Sequence, residues 1–137
     1  MSLEICVNFG VPKHIIFNAF TTEFELSRIT RCPAKFDKSE GGEFNLYDGK
    51  IIGKNTKIVP NETLEQDWKM NDWDKTSKVT ISFCDLDTEE TEVLIQQKGL
   101  PSSQDPKKMK QGWIQMIVQP MAMLGGYPIT NQDELNN

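Results

Sequence analysis

"GGEFNLYDGKIIGKNTKIVP", residues 41–60, is the stretch whose reading decides the fold. Phe44 and Leu46 alternate with Asn45 and Tyr47 up to Asp48 and Gly49, a pair suited to the two positive-φ centres of a type I′ turn. That turn sets Tyr47 against Lys50, Leu46 against Ile51 and Phe44 against Gly53. One face then carries Phe44, Leu46 and Ile51, and Gly53 leaves room on it for the Phe44 ring or for a sharply bent backbone. A bend or bulge also shifts the phase, which accounts for Asn55, Thr56 and Lys57 interrupting the alternation before Ile58 and Val59. The stretch predicts an antiparallel sheet that curls.

Working outward, Pro60 and Asn61 mark a turn, and Leu64, Gln66, Trp68 and Met70 alternate with polar residues as a half-buried strand. Val79, Ile81 and Phe83 repeat the pattern, the acidic segment "DLDTEETE" supplies a solvated turn, and Val93 and Ile95 resume the alternation. Toward the amino terminus, Leu3, Ile5, Val7 and Phe9 form a first strand whose partner the pattern does not identify. Pro12 suits the first turn of a helix buried through Ile16, Phe17 and Phe20. Thr22 and Glu25 have capping-box spacing, so a second short helix should reach about Thr30 with Leu26 and Ile29 inward. After Asp105 and Pro106, the residues Met109, Trp113, Met116, Ile117 and Leu124 recur at helical spacing. Pro120 should kink this long helix, and Gly125 and Gly126 offer its stop. The order gives an α+β helix-grip fold: a curved antiparallel β-sheet wrapped around a long C-terminal helix, with two short helices after the first strand.

At 137 residues and 37% hydrophobic content the chain supports one substantial core, so residues 1–137 are read as one domain. A net charge of -5 and a pI near 4.9 argue against nucleic acid, whose phosphates demand a concentrated basic face. No apolar run approaches the ~18 residues of a membrane span, and no secretory signal opens the chain, so the expected setting is cytoplasmic, without a membrane partner. Cys6, Cys32 and Cys84 are odd in number and far apart, and the single His14 cannot complete a common zinc set with them. They read as structural thiols. Asp85, Asp87, Glu89 and Glu90 lack the spacing and glycine of a calcium loop, and neither GxSxG nor a nucleotide-binding glycine loop occurs. The expectation is a protein with no metal, no cofactor and no catalytic residues.

Three sets of residues are candidates for binding. Trp73, in "NDWDK" at a strand end, lacks the apolar phase that places Trp68 and Trp113 in the core, and is a candidate partner contact. Lys107, Lys108 and Lys110 crowd the start of the last helix, where cations are disfavoured; with Lys50, Lys54 and Lys57 they would form a positive patch for an acidic partner, or else a plain solvated face. Phe17, Phe44, Trp68, Phe83, Trp113 and Met116 would either line a cavity between sheet and terminal helix or fill it.

The segments "FTTEFEL", "GGEFNLYDGKIIG", "KIVPNETLEQDWKMNDW", "TEVLIQQKGLP" and "QGW" occur in an order that resembles the carboxy-terminal domain of activators of the heat shock protein 90 ATPase. The resemblance covers nearly the whole chain, and that family is similar in fold to the birch-pollen-allergen and START-like helix-grip superfamily. It implies a cochaperone of the stress response that brings the nucleotide-binding domains of heat shock protein 90 into their closed, ATPase-competent arrangement, with no chemistry of its own; a monomer is the separate expectation for its own assembly. The family's separate amino-terminal docking domain has no counterpart in these residues, as in a piece of a longer protein or a single-domain relative. The terminal helix departs from the family by carrying Met116, Pro120, Met121 and Met123 where relatives tend to be more aromatic. The alternative the fold allows is a carrier or enzyme for an apolar small molecule held between sheet and helix.

Overall fold

The computed structural model describes residues 1–135. Strand β1 (Ser2–Phe9) is followed by helices α1 (Lys13–Thr21) and α2 (Glu23–Thr30), then by six strands in succession. These are β2 (Lys35–Phe36), β3 (Gly42–Leu46), β4 (Ile51–Val59), β5 (Thr63–Met70), β6 (Ser77–Asp87) and β7 (Glu90–Lys98). All seven strands form one antiparallel sheet in the order β1-β7-β6-β5-β4-β3-β2, so the meander is closed at one end by β1, whose partner is β7. Leu3, Ile5, Val7 and Phe9 are buried, as their alternation requires.

The deciding hairpin has the expected register: Leu46 faces Ile51 and Phe44 faces Gly53. Asp48 and Gly49 take the positive φ of a type I′ turn, and Tyr47 joins them in the left-handed region at φ 53. A Cβ on Gly53 would lie 1.9 Å from the carbonyl oxygen of Asp67 and 2.7 Å from the Phe44 ring. The first demand for glycine is therefore the close approach of β4 to the β5 backbone, and the ring comes second. The phase shift is a bulge, since pairing passes from Asn55↔Gln66 to Lys57↔Glu65 and leaves Thr56 as the extra residue. Asn55 thereby points inward, fully buried, accepting from Gln66 Nε2 at 3.0 Å and donating to the Asp37 carbonyl at 2.8 Å. A second register shift, between Asp85 and Asp87, lies in the acidic turn region.

The capping box does not form. Thr22 does precede α2, but its hydroxyl donates to Asn18 Oδ1, while the Glu25 carboxylate turns to Arg28 at 2.8 Å and to the Tyr127 phenol. Leu26 and Ile29 face inward as expected.

The terminal helix is α3 (Pro106–Trp113), a π-helical segment (Ile114–Val118) and α4 (Gln119–Met123) in unbroken sequence. Asp105 caps it by accepting from the Lys107 N–H at 3.0 Å. The expected proline kink takes the form of this widened turn, in which the Gln119 N–H reaches back to the Ile114 carbonyl. An α-helical Met116 carbonyl would be served by the N–H of residue 120, which proline lacks. The Tyr47 phenol serves it instead, at 2.6 Å.

Past Gly126 the chain runs back along β1, a course that no periodicity announces. Gly10 donates to the Pro128 carbonyl and Thr130 to that of Asn8, while Asn131 accepts from the Asn8 N–H and donates to the Cys6 carbonyl. These bonds cover the open edge of β1, and a short helix α5 (Gln132–Leu135) follows.

Candidate functional site

β5 and the terminal helix meet through three tryptophans. The inward phase of β5 presents Trp68, whose ring stacks on Trp113 at 5.4 Å between centroids with the planes 25° apart. Beyond β5 the chain turns back through a bond from the Trp73 N–H to the Met70 carbonyl, which brings Trp73 edge-on to Trp68 at 5.7 Å. Lys69 holds that turn by donating to the Trp73 carbonyl.

A buried polar chain fixes the stack. Trp113 Nε1 donates to Gln97 Oε1 at 2.8 Å, Gln97 Nε2 donates to Ser77 Oγ at 2.9 Å, and Ser77 donates to the Trp68 carbonyl at 2.7 Å. Helix, β7, β6 and β5 are thus joined by donors and acceptors that would each be costly if left unpaired. Gln97 and Ser77 are absent from the residues singled out by sequence. Their signal was there: Gln97 continues the inward phase of Val93 and Ile95, where a polar side chain needs a reason.

Between sheet and helix the interior is nearly filled. A gap of about 20 Å³ remains among Phe44, Trp68, Trp113 and their neighbours. Phe17 and Phe83 are not part of that gap's lining and pack edge-to-face at 5.1 Å, beside Phe20. At the open end of the seam lies a cleft of about 230 Å³, walled by Trp68, Trp73, Trp113 and the thioethers of Met70, Met109 and Met116. Asp72 is the one charged residue on its wall.

Of the binding candidates, Trp73 is only 7% exposed, so it walls the cleft instead of projecting as a surface anchor. The lysines do not come together. Lys54 pairs with Asp67, next to the inward Trp68, and so lies on the sheet face opposite the helix. The bulge keeps Lys57 on that same outer face, beside Glu65 at 3.9 Å. Lys50 sits at the β3–β4 turn, while Lys107 and Lys110 border a groove on the outer side of the terminal helix, with Lys108 exposed beside them. One continuous positive patch is therefore not formed.

Cys6, Cys32 and Cys84 are free. Partial burial and the neighbouring Glu92 push the Cys6 thiol up to about 11, which keeps it protonated and unreactive near neutrality. Among the described residues no group of three His, Cys, Asp or Glu side chains is placed to hold a metal, and no helix is long and apolar enough to cross a membrane.

A family model described as Activator of Hsp90 ATPase homolog 1-like protein matches residues 11–124. Activator of 90 kDa heat shock protein ATPase homolog of Dictyostelium discoideum is 33% identical over 119 residues, 85% of this chain and 31% of its own length. The mouse Activator of 90 kDa heat shock protein ATPase homolog 1 is 26% identical over 113 residues, 82% of this chain and 33% of its own. The chain spans about a third of the length of the curated relatives it matches. The crystal structure of an HSP90 activator from Plasmodium falciparum superimposes with a TM-score of 0.89 at 31% identity, covering 95% of this chain and 99% of that one.

Proposed function

This chain belongs to the Activator of Hsp90 ATPase homolog 1-like family, and on that premise we propose that it is a cochaperone domain that binds heat shock protein 90 and stimulates its ATPase. The observation that carries the reading is the likeness to the Plasmodium falciparum activator, which runs through 99% of that structure at 31% identity. The domain, taken as residues 1–137 and as a monomer in the cytoplasm, acts by preferring the closed arrangement of the chaperone's nucleotide-binding domains. It performs no chemistry itself. A partner shifts a conformational equilibrium only by its differential affinity for the two states, so this preference is the mechanism. The nearly filled interior favours a binding module over a carrier that encloses its cargo between sheet and helix.

Lys107, Lys108 and Lys110 supply a basic rim at the start of α3 for an acidic surface of the chaperone, and Lys50, Lys54 and Lys57 are a separate candidate set across the sheet. Rim charges act chiefly on association rate and salt dependence. The test is the steady-state ATPase rate of the chaperone with increasing amounts of this domain. Stimulation is expected, weaker than that of an activator that also carries a docking domain, whose tether raises the apparent affinity by ~100-fold or more. Reversing the three α3 lysines to glutamate should slow association and flatten its salt dependence; an unchanged association rate would remove the lysine rim, and no stimulation by the parent domain would dismiss the reading.

A further inference from the structure

We infer that the cleft at the open end of the seam binds a small organic cation of the quaternary ammonium class. The wall combines indole rings and thioethers with a single negative charge, beside the aliphatic Ile51 and Ile117 and the neutral amide of Gln104. Three indole rings converge there, held by the stack of Trp68 on Trp113 and the edge contact of Trp73. Aromatic faces attract ammonium groups electrostatically, and indole does so best. Asp72 adds the only formal charge, it is negative, and no cation lies within ion-pair distance of it among the described residues. Met116 contributes a soft, polarizable thioether. An anionic ligand would meet Asp72 without a lysine or arginine to offset it.

Two further features separate this cleft from a packing defect. The gap deeper in the same seam shrinks to about 20 Å³, so the 230 Å³ opening is local to this end. The helix that bounds it adopts its π-helical turn at Ile114–Val118, on the cleft wall through Met116 and Ile117, and such widened turns concentrate at functional sites. The chain's net charge of -5 adds a long-range attraction for cations. None of this depends on the chaperone reading, and the cleft is a different binding site from the lysine rim proposed above, which it adjoins through Met109 and Gly112 of α3.

The test titrates the whole chain with choline and with neohexyl alcohol, its uncharged carbon isostere, following tryptophan fluorescence. Choline should give a saturable change, with the isostere about tenfold weaker because it lacks the charge that the indoles and Asp72 recognise. Asp72→Asn, in an exposed turn, should weaken choline by about threefold or more and leave the isostere unchanged. Gly112→Leu should weaken binding of both, since Gly112 is on the cleft wall and a Cβ there meets nothing within 4 Å, which leaves the added side chain room to start from. An unchanged thermal midpoint in each variant shows that binding, not folding, has been altered. Equal affinity for choline and its isostere, no saturation with either, or choline binding indifferent to both substitutions would overturn the assignment.

Discussion

The Tyr47 phenol donates a 2.6 Å hydrogen bond to the carbonyl of Met116, the acceptor that Pro120 leaves without its helical donor. The β3–β4 turn is thereby tied to the π-helical segment across 69 residues of sequence. Burial raises the Tyr47 pKa, which keeps the phenol protonated and able to donate at neutral pH. Tyr47→Phe should cost ~1 kcal/mol in denaturant unfolding, the net worth of one such bond. Pro120→Ala restores a backbone donor for the same carbonyl, so Tyr47→Phe should cost clearly less in that background. Strict additivity of the two substitutions would mean that they do not share the acceptor.

Gly53→Ala should destabilise by ~3 kcal/mol or more, because its Cβ falls 1.9 Å from a backbone oxygen that cannot move without displacing β5. Trimming the ring with Phe44→Leu should not rescue it. Rescue would make the ring, and not the Asp67 carbonyl, the reason for glycine.

Trp113→Phe keeps most of the stack but removes the indole donor, stranding Gln97 Oε1 in the core. A loss of ~1–3 kcal/mol is expected from that unpaired group alone. Adding Gln97→Leu should recover part of the loss, since an apolar pair needs no partner. A double variant less stable than Trp113→Phe would contradict the polar chain's role.

Glu25 is held below its ordinary value of 4.5 by hydrogen bonding to Arg28 first, against the opposing effect of burial, with help from the Tyr127 phenol. A carboxylate with a depressed folded pKa contributes stability above its unfolded pKa, and that contribution is lost as pH falls through the folded one. Arg28 is partly solvated, so Glu25→Gln should cost only ~1 kcal/mol at pH 7. The difference from the parent should shrink as pH drops below the ordinary carboxylate range. A constant difference down to acid would remove the charge from the explanation.

The hairpin, its register and its bulge were legible because alternation and Asp-Gly turn chemistry are local. Gly53 was legible only in part: the sequence shows the ring opposite it, while the Asp67 carbonyl comes from a neighbouring strand. The π-helical segment receives a hydrogen bond from Tyr47, far upstream, so Pro120 alone could announce a kink and not its form. Trp73 follows the last phased residue of β5, and a side chain without phase carries no sign of burial. The lysines were separated by the sheet itself, with Lys54 on its outer face by alternation and Lys57 held there by one extra residue. The strap at Pro128–Asn131 pairs through backbone and the polar side chains of Thr130 and Asn131, which leave no hydrophobic pattern to read.

The central claim is preference for the closed chaperone. The direct measurement is the affinity of this domain for heat shock protein 90 without nucleotide and with a non-hydrolysable ATP analogue, at fixed ionic strength. Binding should be about tenfold or more tighter with the analogue, a difference of ~1.4 kcal/mol available to draw the equilibrium toward closure. Equal affinity for the two states, however tight, would contradict the account.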